Sequence, residues 1–99
     1  MNSTPNFEMV RARREEISTI ASRYGAHNLR VYGSVARGDA TSASDVDFLV
    51  DFEPGRSLFD LVRLADELGE LMGRSVDIVT EEELGARTRD QILANARSL

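Results

Sequence analysis

Residues 45–52 read DVDFLVDF and predict the clearest β-strand of the 99-residue chain. Apolar residues occupy every second position, which is the periodicity of a strand with one face on the core. The core-facing set is Val46, Phe48, Val50 and Phe52. The opposite face then carries Asp45, Asp47, Leu49 and Asp51. The pattern therefore predicts a sheet strand with an acidic outer side.

On either side of this strand, apolar residues recur at the three- and four-residue spacing of helices. The first predicted helix covers residues 7–24 and ends at Gly25. The second follows a variant capping box of Ser57 and Asp60 and ends at Gly73. Its predicted core stripe is Leu58, Leu61, Val62, Ala65, Leu68, Leu71 and Met72.

Two further strands are predicted over residues 29–32 and 75–80, and residues 34–44 predict a short helical turn followed by a polar loop. Thr80 and Glu83 form a second capping-box pattern that opens a final helix. That helix is expected to dock on the core through Ile92, Leu93 and Ala96. The fold class is therefore α/β (α+β), with a small mixed sheet covered on one face by helices.

The composition predicts a single domain over residues 1–99, with residues 1–6 disordered. The absence of cysteine excludes disulfides, thiolate zinc sites and cysteine nucleophiles. A net charge of −5 argues against direct nucleic-acid binding, and no apolar run is long enough to cross a membrane. Since the N-terminus has no apolar signal-peptide region, we expect a cytoplasmic protein.

Asp45 and Asp47 are the first candidates for chemistry. Residues two apart in a strand point to the same side, with Cα atoms roughly 6.6 Å apart. Two carboxylates so placed repel each other, and a hard divalent cation such as Mg²⁺ relieves that repulsion. The alternative is that the pair is simply the solvated face of an amphipathic strand, which a D-x-D motif alone does not exclude.

Two other features favour the metal site over that alternative. Gly33 and Ser34 stand at a predicted strand end before a helical turn, where backbone N–H groups and a hydroxyl can bind a phosphate. A serine N-cap after a glycine turn is the other interpretation. Asp77 should face the side of Asp45 and Asp47 if Val76 and Ile78 face the core, although it is equally typical of an exposed strand residue.

Taken together, Gly33-Ser34, ten intervening residues, Asp45-Val46-Asp47 and a later Asp77 resemble the G-S-x10-D-x-D pattern of the DNA polymerase beta-like nucleotidyltransferase superfamily. The stretch GSVARGDATSASDVDFLVDF is similar to its minimal nucleotidyltransferase branch, which includes antitoxins paired with HEPN-type ribonuclease toxins. The resemblance covers roughly residues 15–98 and implies the polymerase beta-like nucleotidyltransferase fold.

The resemblance also implies a role for each matching residue. Asp45, Asp47 and Asp77 would form the catalytic acidic triad and bind Mg²⁺, as two ions. Gly33 and Ser34 would hold the triphosphate of ATP. Arg37, one turn along the helix, would reach a phosphate, unless it is only an exposed arginine.

The implied reaction is transfer of AMP from ATP to a hydroxyl, expected to be that of a tyrosine, of a HEPN-type toxin. The chain would then be the antitoxin of a type VII-like toxin–antitoxin pair, and a homo-oligomer is a possible assembly. Two alternatives stay open: a non-catalytic module that neutralises its partner by covering it, and a small-molecule nucleotidyltransferase. The single histidine, His27, is expected to be structural or exposed.

Overall fold

Residues 4–99 are described by a computed structural model, in which helices and strands alternate along the chain. The strands are β1 (Ala26–Tyr32), β2 (Val46–Phe52), β3 (Val76–Thr80) and β4 (Arg97–Ser98). Within these residues the helices are α1 (Phe7–Arg11), α2 (Arg14–Arg23), α3 (Gly33–Arg37), α4 (Leu58–Met72) and α5 (Ala86–Asn95). A 3-10 turn, Glu81–Glu83, follows β3 directly.

The four strands form one sheet in the order β3-β2-β1-β4. Strand β2 pairs parallel with β3 and antiparallel with β1, which in turn pairs antiparallel with β4. The predicted small mixed sheet is therefore confirmed. The short strand β4 was not predicted, because two residues at the end of a helix carry no alternation to detect.

The core lies on one face of β2, as the alternation of residues 45–52 predicted. Val46, Phe48 and Val50 are fully buried there. Ile17 and Ala21 of α2 and Leu64 and Leu68 of α4 pack into the same apolar cluster. The opposite face is not uniformly solvated, because Leu49 is also fully buried.

The helix predicted over residues 7–24 is broken into α1 and α2 at Ala12 and Arg13. The break turns α1 so that Phe7 and Val10 reach the core. Arg13 itself donates a hydrogen bond to the carbonyl oxygen of Leu71, at the end of α4. Because alanine and arginine both favour helices, the interruption comes from these tertiary contacts and not from propensity.

The predicted disorder of residues 1–6 is wrong for residues 4–6, and residues 1–3 lie outside the described residues. Pro5 is buried, and the Asn6 side chain accepts a hydrogen bond from the Met9 N–H at 2.9 Å, which caps α1. Strand β1 begins at Ala26, three residues before the predicted start, because the antiparallel ladder with β2 extends that far.

Helix α4 has the predicted capping box and ends at Gly73, whose φ is +70°. Its predicted core stripe is wrong at two positions, because Leu58 is 74% exposed and Val62 is 48% exposed. Leu64, outside that stripe, is fully buried instead. The helix is therefore rotated relative to the expected face, while its other predicted apolar residues remain at least partly buried.

The second capping box, Thr80 with Glu83, is present but opens the 3-10 turn, and α5 begins only at Ala86. Ile92 of α5 is partly buried, whereas Leu93 is 39% exposed, so the expected docking of this helix is weak. None of the helices in residues 4–99 combines the length and apolar character needed to cross a membrane.

Candidate active site

The topology of the sheet brings the predicted site residues to one end of it. Because β1 runs antiparallel to β2, its last residue, Tyr32, pairs with Asp47 near the start of β2. Because β3 runs parallel to β2, its second residue, Asp77, pairs with Asp47 from the other side. Gly33 follows Tyr32 directly. The Gly33-Ser34 turn therefore lies beside Asp47 and Asp77 at the same end of the sheet.

Gly33 provides space for the Asp47 carboxylate. Its φ is +74°, a left-handed conformation that glycine adopts without strain. A Cβ atom at this position would lie 2.6 Å from Asp47 Oδ2, closer than two such atoms can approach. The Asp47 side chain therefore rests directly on the backbone that starts α3, and a larger residue at position 33 would force this carboxylate to move.

Ser34 lies in the first turn of α3, and its carbonyl oxygen accepts hydrogen bonds from the N–H groups of Gly38 and Asp39 at 3.0 and 3.1 Å. Gly38, with φ of +84°, closes the helix after five residues. The predicted short helical turn between the strands is therefore present. It places the Ser34 side chain one residue beyond the contact between Gly33 and Asp47.

The electrostatics of the site centre on Asp47. The pKa of this carboxyl is raised to about 6, first by burial and then by the nearby charges of Asp77 and Asp45, while Arg37 lowers it. The pKa of the neighbouring Tyr32 phenol is raised to about 12, first by burial and then by Asp47, Asp77 and Glu83. Negative charge is therefore concentrated on a half-buried surface that holds little countercharge of its own.

Asp45 is positioned differently from the prediction, because β2 begins at Val46 and Asp45 is an exposed loop residue. It nevertheless lies close enough to raise the pKa of Asp47. In the part of the chain that the structure describes, no three carboxylate or imidazole side chains stand in a metal-ligating arrangement. The assignment of Asp45, Asp47 and Asp77 as metal ligands stays a prediction.

The donor set nevertheless fits Mg²⁺. The three candidate side chains offer carboxylate oxygens, which are the hard ligands that this cation prefers. Asp47 is held in a confined position against Gly33, and its ionised form is disfavoured where no cation is near. A bound divalent cation would offset the negative charge of the Asp47 carboxylate and so stabilise its ionised form.

Arg37 is paired with Asp39, from Nε to Oδ2 at 3.2 Å, and its side chain is 48% exposed. It lowers the pKa of Asp47, so it lies within electrostatic reach of the acidic cluster, and its contact with a phosphate stays a prediction. His27 is exposed, and its Nε2 is 2.8 Å from Glu53 Oε1, at the opposite end of β2. The expectation that His27 is structural or exposed is confirmed.

Sequence reasoning missed Arg74, which holds the loop that carries Asp45. One guanidinium nitrogen of Arg74 donates to the carbonyl oxygens of Ser44 and Ser42, at 3.3 and 3.5 Å. The Val46 N–H donates to the carbonyl oxygen of Ser75 at 3.1 Å. A single arginine after a helix-ending glycine carries no sequence signal for this role, because the contact spans about thirty residues.

Comparisons with known proteins agree with this geometry. The nucleotidyltransferase domain family matches residues 14–99. A Methanocaldococcus jannaschii protein, named as a candidate protein adenylyltransferase, is 39% identical over 83 residues, covering 84% of this chain and 89% of its own. The protein adenylyltransferase MntA of Thermococcus cleftensis is 42% identical over 65 residues, or 66% of each chain.

Solved structures show the same fold. A candidate minimal nucleotidyltransferase superposes with a TM-score of 0.84 at 49% identity, covering 95% of this chain and 96% of that one. The complex of an MNT antitoxin with the tri-AMPylated HEPN toxin of Shewanella oneidensis superposes with a TM-score of 0.67 at 14% identity, covering 89% of this chain and 69% of that one. At such low identity the second likeness concerns the fold alone. The family match and the similar structure together show that the chain belongs to the nucleotidyltransferase domain family, in its minimal branch.

Proposed function

We propose that this nucleotidyltransferase transfers AMP from ATP to a tyrosine hydroxyl of a HEPN-type toxin and acts as its antitoxin. The observation that carries the proposal is the contact of Asp47 with Gly33, in register with Asp77. This contact brings the turn at Gly33, which can bind a phosphate, next to the acidic cluster, which can bind a cation. The names of the relatives from Methanocaldococcus jannaschii and Thermococcus cleftensis support protein as the acceptor class.

Asp45, Asp47 and Asp77 would hold two Mg²⁺ ions, which supply charge neutralisation for the triphosphate when bound. The backbone at Gly33 and the hydroxyl of Ser34 bind the phosphates, because N–H groups at the start of α3 are free of intrahelical partners. Arg37 adds a positive charge on the same side. These residues would hold the nucleotide at the amino ends of β2 and β3.

In the transfer step the acceptor oxygen attacks the α-phosphorus, and the bond from that phosphorus to the bridging oxygen of the β-phosphate breaks. Pyrophosphate leaves with the bonding electron pair. The proton of the acceptor hydroxyl passes to the Asp77 carboxylate, since this side chain faces the outer side of the sheet beside Asp47. Positioning and charge neutralisation supply most of the rate enhancement in such reactions.

The acceptor is expected to be a separate protein. Residues 4–99 form one layer of helices on one sheet, and the part of the chain that the structure describes contains no additional acceptor-binding domain. A folded partner can present its own hydroxyl, which favours protein over a small-molecule substrate.

The test compares wild type with Asp77→Asn by intact-mass spectrometry of a HEPN-type toxin protein, incubated with Mg²⁺ and ATP. Wild type is expected to add the mass of one or more AMP units, and Asp77→Asn to add none while still binding ATP. Asp66→Asn, which neutralises an exposed aspartate on α4, is the matched control and should transfer normally. A partner that is fully inhibited but unmodified would contradict catalysis and support neutralisation by binding alone.

A further inference from the structure

The N-terminal part of α4 carries an apolar surface that no segment of residues 4–99 covers. Leu58 is 74% exposed, Phe59 is 76% exposed and Val62 is 48% exposed. Val62 lies four residues after Leu58 and three residues after Phe59, so its side chain neighbours both of them on the helix surface. We call these three residues the α4 patch. An exposed cluster of large apolar side chains typically marks an interaction site.

An acidic groove adjoins this patch, between the loop after β2 and the 3-10 turn after β3. Its volume is about 640 Å³. Its apolar lining consists of Val50, Phe52, Leu58 and Leu61. Its carboxylate lining consists of Asp51, Glu53, Glu81, Glu82 and Glu83. The groove therefore combines apolar side chains with a strongly negative rim.

The cations near the groove do not neutralise it. Among the described lining residues Arg56 is the single cation, and it is paired with Glu53 at 3.3 Å and with Asp60 at 3.7 Å. Arg30, behind the groove, is paired with Asp51 at 3.1 Å and lies 3.7 Å from Glu81. Five lining carboxylates thus face two arginines, and no ion pair within the described residues involves Glu82 or Glu83. The remaining charge favours a positively charged occupant.

The patch and groove lie at the opposite end of the sheet from the acidic cluster. They adjoin the carboxyl ends of β2 and β3, whereas Asp47 and Asp77 lie near the amino ends of the same strands. Seven residues of extended strand separate the two ends of β2, which corresponds to roughly 20 Å. The two surfaces are nevertheless neighbours, because the groove residue Glu83 lies close enough to Tyr32 to raise the pKa of that phenol.

We propose that the α4 patch and the acidic groove form the docking surface for the acceptor protein. The occupant is a segment of that protein that places an apolar side chain on the patch and lysine or arginine side chains in the groove. The inference rests on the proposed function, because it assigns where the acceptor of that reaction is held. A second copy of this chain is a poorer fit, since it would bring a net charge of −5 towards an already acidic groove.

The test measures the affinity of the HEPN-type partner for the protein immobilised on a sensor, together with the kinetics of AMP transfer. Phe59→Ser and Glu82→Lys alter the patch and the groove at exposed positions, so the fold should be retained. Each is expected to weaken partner binding by about tenfold or more, as the loss of a central interface side chain does. The KM for the partner should rise in parallel, while kcat at saturating partner and the affinity for ATP stay unchanged. Leu93→Ser, at a 39% exposed leucine on α5, is the matched control and should bind like wild type.

Salt dependence gives a second measurement. Raising the ionic strength should weaken wild-type binding because the groove carries unscreened charge, and Glu82→Lys should show a smaller salt effect. Unchanged affinity in both variants would overturn the docking surface, as would loss of self-association in sedimentation experiments with partner binding intact. If the variants lose binding but wild type transfers no AMP, the docking surface stands and the proposed reaction fails.

Discussion

Replacing Gly33 with alanine tests the contact on which the candidate site depends. The substitution introduces two separate effects. A left-handed φ of +74° costs an L-residue about 1–2 kcal/mol in the free energy of unfolding. The new Cβ would also lie 2.6 Å from Asp47 Oδ2, against an ordinary contact distance that begins at 3.4 Å.

The two effects have different consequences. Because the clashing atom is the end of a rotatable side chain, the carboxylate can move away by about 0.8 Å with little further cost in stability. The same displacement shifts a proposed metal ligand, and a misplacement of about 1 Å can reduce an enzymatic rate by 10²-fold. Gly33→Ala should therefore lower Tm by roughly 4–8 °C per kcal/mol of strain, yet reduce AMP transfer by about a hundredfold.

Gly73→Ala separates the two contributions. Gly73 has a φ of +70°, so the backbone strain is similar, but nothing lies within 4 Å of the position that an added Cβ would take. Thermal melts of both variants should show similar decreases in Tm, whereas kcat/KM for transfer should fall only in Gly33→Ala. Near-normal transfer by Gly33→Ala, or an equal loss in Gly73→Ala, would refute the argument that the Gly33 contact positions Asp47.

Three further outcomes are expected. Mg²⁺ with ATP should raise Tm, because the ligands bind the folded acidic cluster and not the unfolded chain, and no shift at millimolar ligand would argue against the metal site. In the metal-free protein the pKa of Asp47, about 6 against an ordinary 3.8, means that the folded state retains a proton that the unfolded state loses. The free energy of unfolding should therefore fall as pH rises from about 4 to 6, and denaturant titrations of Asp47→Asn should show a weaker pH dependence than wild type. Asp60→Ala removes the acceptor, at 3.0 Å, of the Ser57 N–H and should destabilise the protein by about 1 kcal/mol, measured by urea unfolding, with Asp66→Ala as the neutral comparison.

The strand at the centre of the site could be predicted because its signal is local. Alternation over residues 45–52 fixes which side faces the core without reference to any other segment. The same argument correctly placed Asp77 beside Asp47, since Ile78 is buried and its neighbour must face outward. Asp45 lies just before the strand, where the ladder with β3 has not yet begun, and alternation alone does not locate that boundary.

The features that the sequence did not predict depend on distant contacts. Several faces of α4 have three- and four-residue apolar spacing, and the packing of the helix on the core decides that Leu64 is buried and Leu58 is exposed. Asn28 has a φ of 52° within an irregularity of β1, a left-handed conformation that asparagine adopts more readily than most residues. Neither the interruption of the first helix at Arg13 nor the anchoring of the Asp45 loop by Arg74 involves a local motif.

The mixed sheet also determines which loops of the chain can change in length without moving the candidate site. In open parallel sheets ligands bind at the carboxyl ends of the strands, where the connecting loops vary. Here the antiparallel β1 delivers Gly33 to the amino ends of β2 and β3, so the loops that follow β2 and β3 lie at the far end. Insertions in those two loops can therefore remodel one end of the protein while the spacing between Gly33, Asp47 and Asp77 stays fixed. Such a protein can acquire new partners without rebuilding its chemistry.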